Sequence, residues 1–77
     1  MRKVWACVFI TTSKPKIVAV KLRKIQGVIK ADGLFGNPDC IAIVEGRDIA
    51  SMDAVIDRIA EIPEVERTDS KVARWLE

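Results

Sequence analysis

The chain has 77 residues, room for one domain with a small core. It is 49% hydrophobic and 31% charged, with a formal net charge of +2. No apolar run approaches the roughly 18 residues of a membrane span, and the absence of histidine, with only Cys7 and Cys40 as thiols, excludes a histidine base and any usual zinc spacing.

The elements read in order as follows. Residues 4–12 are β-branched and aromatic, hence a first strand. Ser13 is placed to cap a helix, with Pro15 in its first turn. Ile17, Val18, Val20, Leu22 and Ile25 keep helical spacing, and Gly27 is the expected end of that helix. Residues 28–35 form a second strand, and Gly36-Asn37-Pro38-Asp39 is a tight connection. Residues 40–45 form a third strand. Asp48 or Ser51 caps a second helix whose buried stripe is Met52, Val55, Ile56, Ile59 and Ile62. Pro63 stops it, and residues 65–76 form the last strand.

An internal repeat organises these elements. Shifted by 37 residues, Val4 falls on Ile41, Val18 on Val55, Leu22 on Ile59, Ile25 on Ile62 and Val28 on Val65. Two βαβ-sized units are implied. Interleaved, they give an α+β, ferredoxin-like βαββαβ fold: a four-stranded antiparallel sheet with two helices on one face. Charge does not follow the repeat. Residues 1–37 carry eight basic and one acidic side chain, and residues 38–77 carry five basic and ten acidic. Two solvated helix faces of opposite sign explain this; so would faces that steer subunits together or attract an acidic partner.

The central strands are apolar on both sides. Val4, Ala6, Val8 and Ile10 oppose Trp5, Cys7 and Phe9, while Ile41 and Ile43 oppose Cys40, Ala42 and Val44. A sheet covered on one face only should alternate apolar and polar residues. The uncovered set would be an exposed patch, so a second subunit is expected to cover it, as in a dimeric α/β barrel-type association. Trp5, Cys7, Phe9, Ile41 and Ile43 are the candidate interface residues.

No P-loop, dinucleotide fingerprint or activated nucleophile is present, and no metal site or cofactor is expected. Trp5 and Phe9 could stack on bases, but the third strand offers no aromatic, so direct nucleic-acid binding is not expected. The N-terminus carries no small-residue cleavage pattern, so a cytoplasmic protein with reduced, buried thiols is the expectation, and one disulfide is the alternative. A small enzyme of this topology is a minor alternative.

Four blocks resemble the effector-binding (RAM) domain of the Lrp/AsnC transcriptional regulators in its stand-alone form. These are Val4–Thr12, Lys24-Ile25-Gln26-Gly27-Val28, Gly36–Val44 with its G-x-x-D loop, and Ile62–Ser70 with a T-x-S strand. The resemblance implies a non-enzymatic, amino-acid-sensing domain, residues 1–77, without a DNA-binding helix-turn-helix. It implies dimers joined through their sheets and assembled into an octamer or decamer, possible co-assembly with full-length regulators, and small effectors held between dimers. By position, the ligand-binding residues implied are Gly36, Asn37, Pro38 and Asp39, with Thr68 and Ser70 from a neighbouring subunit. A structural module that assembles through its sheet and binds no metabolite is the alternative.

Overall fold

The computed structural model describes residues 3–73. Its order is β1 (Val4–Thr11), α1 (Pro15–Arg23), β2 (Val28–Gly33), β3 (Cys40–Gly46), α2 (Ile49–Ala60) and β4 (Arg67–Val72). The four strands form one antiparallel sheet in the order β2-β3-β1-β4, the ferredoxin-like arrangement expected. The richest apolar strands, β1 and β3, lie at the centre, and the mixed strands lie at the edges, where charged side chains discourage further pairing.

Both helices cover one face, and the alternation of each strand decides which. Ala6, Val8 and Ile10 of β1 and Cys40, Ala42 and Val44 of β3 are fully buried beneath them. From the helices come Val18 and Leu22 of α1 and Met52, Val55 and Ile59 of α2. Complete burial of one such aliphatic side chain contributes about 1.5–3 kcal/mol, and the repeat supplies these residues in pairs: Leu22 and Ile59 are both 0% exposed.

The boundaries depart from the pattern at four places. Ser13 does not cap α1. Lys14 occupies the cap position, no side chain caps it, and the Lys14 amide donates to Thr12 Oγ1 at 3.0 Å. Asp48, by contrast, caps α2, accepting from the Ser51 amide at 2.8 Å. α1 ends at Arg23, so Ile25 lies in the following turn and Gly27 is not its cap. Gly27, at φ +103°, turns the chain into β2, and a side chain there would meet Val55 Cγ2 at 2.5 Å. Ile17 and Val20 keep helical spacing yet face solvent. β2 stops at Gly33, because the Leu34 amide turns to the Asp39 carbonyl and closes the loop. β4 begins at Arg67, since the Val65 amide is spent on a turn to Ile62; its expected end at Leu76 lies outside the described residues.

Candidate functional site and the open sheet face

The face opposite the helices carries Trp5, Cys7 and Phe9 of β1 beside Ile41 and Ile43 of β3, paired as Cys7↔Ile43 and Phe9↔Ile41. All five interface candidates therefore share this face. Edge residues frame them. Lys30 and Asp32 of β2 pair with Ile43 and Ile41, while Asp69 and Lys71 of β4 pair with Phe9 and Cys7. Most of the apolar strip is half-buried, with Trp5 the most open at 39% exposure. The two thiols are free and lie on opposite sides of the sheet, so they do not pair. Cys40 is enclosed, donates to the Pro15 carbonyl at 3.4 Å, and has its pKa raised by burial and then by the neighbouring Asp39 carboxylate. It stays a thiol and a core residue.

At one end of this face lies a cavity of about 240 Å³. The β2–β3 loop contributes Asn37 and Pro38, whose peptide bond is cis, and β4 contributes Arg67, Thr68 and Asp69. Phe9 and Thr11 form its floor from β1. The register explains the grouping. Arg67 pairs with Thr11 and Asp69 with Phe9, so these four share the open face, and the loop joining the neighbouring strands closes over them. A guanidinium and a carboxylate two residues apart on one strand, beside an aromatic ring, can meet a small molecule that carries both charges and an apolar part.

Three of the six positions implied by the resemblance, Asn37, Pro38 and Thr68, thus line one cavity within a single copy. Gly36, at φ +109° with open space around it, shapes the loop. Asp39 is committed to the fold. Its carboxylate accepts from the Thr12 amide at 2.9 Å, and its own amide donates to the Ile10 carbonyl at 3.0 Å. Ser70 lies apart from the cavity: it pairs with Val8, and Thr68 with Ile10, so both strand positions turn toward the helices. Arg67 and Asp69 were not among the ligand-binding residues expected from the sequence, although two-residue alternation about Thr68 places them on the opposite face. Among the described residues, no group of three His, Cys, Asp or Glu side chains could hold a metal, and no helix is long and apolar enough to cross a membrane.

The βαββαβ domain thus has one sheet face uncovered and a polar cavity at its loop end. The Lrp/AsnC ligand binding domain family matches residues 5–73, and the chain belongs to that family. No curated protein matches it. Among solved structures it is similar to a hypothetical protein from Pyrococcus horikoshii, with 26% identity, a TM-score of 0.83, and coverage of 95% of this chain and 92% of that one. It is also similar to the protein FFRP-DM1, with 27% identity, a TM-score of 0.83, and coverage of 92% and 99%. A feast or famine regulatory protein from M. tuberculosis, complexed with L-methionine, shares the fold at 22% identity and a TM-score of 0.74. The match covers 91% of this chain and 49% of that protein, so the present chain spans about half its length.

Proposed function

We propose that the chain is the effector-binding module of a regulatory assembly and takes a free amino acid at the cavity between the β2–β3 loop and β4. The observation that carries this reading is the meeting of Asn37 and Pro38 with Thr68, Arg67 and Asp69 around one 240 Å³ space. Arg67 suits the α-carboxylate of the ligand and Asp69 its ammonium, with Phe9 against the apolar part. The methionine held by the regulator of the same fold supports an amino acid as the class.

A second copy covers the strip of Trp5, Cys7, Phe9, Ile41 and Ile43, sheet against sheet, and the cavity lies at the rim of that contact. The domain acts alone or joins a DNA-binding relative, and it makes no direct contact with nucleic acid. Gly36, Asp39 and Ser70 shape the loop and strand, or complete the site from a neighbouring copy.

Titration calorimetry with a panel of amino acids is the test. Saturable binding that Arg67→Ala and Asp69→Ala weaken is expected. If none of the panel binds at millimolar concentration, the sensing role fails, and the second reading, assembly through the sheet without a metabolite, takes its place. That second reading draws on Asp39, whose carboxylate already holds the Thr12 amide.

A further inference from the structure

The outer surface of α1 is unusually apolar for an exposed helix, and it adjoins a groove. Ile17 is 45% exposed and Val20 48%, and Phe35, in the loop beyond β2, is fully exposed. Between α1 and this loop lies a cavity of about 350 Å³ lined by Pro15, Ala19, Val20, Gly33, Leu34 and Phe35. Its rim is basic. Lys16 and Arg23 border it, and Lys14, Lys21 and Lys24 stand on the same helix or at its ends. Arg23 is held by Asp32 and Lys21 by Glu64, but Lys14, Lys16 and Lys24 have no ion-pair partner among the described residues.

The outer surface of α2 is the counterpart. Its exposed large apolar residue is Ile49, and Asp53 and Asp57 follow at intervals of four. Four residues of helix rise about 6 Å, so Ile49, Asp53 and Asp57 make a stripe of one apolar and two acidic positions. Lys16, Val20 and Lys24 make a stripe on α1 with the same spacing. Asp53 and Asp57 also have no ion-pair partner among the described residues. Two α1 grooves facing each other would bring the unpaired Lys14, Lys16 and Lys24 against the same three, so a groove does not suit its own copy. An α2 stripe suits it. With Ile49 set on Val20 and the helices antiparallel, Asp53 comes beside Lys16, while the register partner of Asp57 is position 12, before α1 begins.

We propose that the α1 groove of one copy docks the α2 stripe of a second copy, with Ile49 against Val20 and the Asp53 carboxylate on the Lys16 ammonium group. The contact is head-to-tail, because each copy offers a groove on one helix and a stripe on the other. Such contacts propagate into a ring or an open array. It uses the helix layer and leaves the sheet face free, while Leu34 and Phe35 of the groove share a loop with Asn37 and Pro38 of the ligand cavity.

The test uses the full chain and two variants, Lys16→Glu and Asp53→Lys, followed by sedimentation velocity over a range of concentrations. Both positions are exposed, and circular dichroism checks that each variant keeps its fold. Each variant alone sets like charges across the contact and should need about tenfold more protein to assemble than the wild type. Mixed in equal amounts, the two variants again oppose unlike charges at every contact, so the mixture should assemble like the wild type. Val20→Asp should weaken assembly at high salt as well, where exposed ion pairs are screened. The proposal is overturned if the variants sediment as the wild type does at every concentration. It is also overturned if the mixture stays as dissociated as its components, or if Val20→Asp changes nothing.

Discussion

Aligned at the 37-residue shift, Val18 and Leu22 of α1 coincide with Val55 and Ile59 of α2, and all four are buried against the same sheet. The outward sides of the same helices share almost nothing. α1 is nine residues long, has no side-chain cap, and shows Ile17 and Val20 among lysines. α2 is twelve residues long, is capped by Asp48, and shows Ile49 ahead of Asp53 and Asp57. The contrast separates two kinds of constraint. A core position must fill a fixed space beside fixed neighbours, so both units keep the same residue class. An outward position answers only to solvent and partners, so it is free to change sign.

Deleting matched core atoms tests the first half of that comparison and should have the largest effect. Leu22→Ala and Ile59→Ala should each cost about 2–5 kcal/mol by urea denaturation, since both residues are fully buried. Similar losses would support one core shared by both units. A large loss at one site and little at the other would mean that one unit carries the stability. Next comes the junction where the units diverge. Gly27 sits at φ +103° against Val55, whereas its counterpart, Glu64, faces outward into a salt bridge. Gly27→Ala should cost about 1–3 kcal/mol, from the backbone conformation together with displacement of the Val55 methyls, and Glu64→Ala far less.

The smallest effect is electrostatic and ties the two units together. Lys21 Nζ donates to Glu64 Oε1 at 2.7 Å and holds that carboxyl below the ordinary glutamate range. A carboxyl depressed in the folded state adds stability above its unfolded value of about 4.3, and that stability is lost as the pH falls through the folded value. Lys21→Met should therefore lower the denaturation midpoint slightly at neutral pH, and the gap to wild type should close in acid, once the pH has fallen through the folded value. A gap that persists in acid would trace the effect to packing of the lysine stem instead.

The fold was legible because burial is periodic. The alternation of β1 and β3 and the paired stripes of the helices state which residues avoid water, and the repeat doubles the signal. The two-faced centre strands were legible for the same reason, and the register then showed that the Trp5–Cys7–Phe9 side is the open one. What escaped depends on chain segments that are distant in sequence. Ser13 looks like a cap, but Thr12, held by Glu64 and Asp39, takes over the start of α1. Gly27 looks like a helix end until Val55 is seen to press against it. The loop residues of the site were recognisable by their resemblance to the family. Arg67 and Asp69 were not, because only the pairing of β4 with β1 brings them beside Asn37 and Pro38.

The strand order has a consequence for how the chain finds its structure. Only β2 and β3 are joined as a hairpin, across the short loop from Leu34 to Asp39. β1 occupies the centre of the sheet, yet both of its neighbours, β3 and β4, come from the second half of the sequence. The Thr12 hydroxyl reaches the Glu64 carbonyl across 52 positions of chain. Loop-closure entropy must be spent before those contacts give anything back. Folding should therefore begin in the local β2–β3 hairpin and the helices beside it. A central strand of the finished domain is then among the last to be secured, and until it docks, its apolar residues are those most open to aggregation.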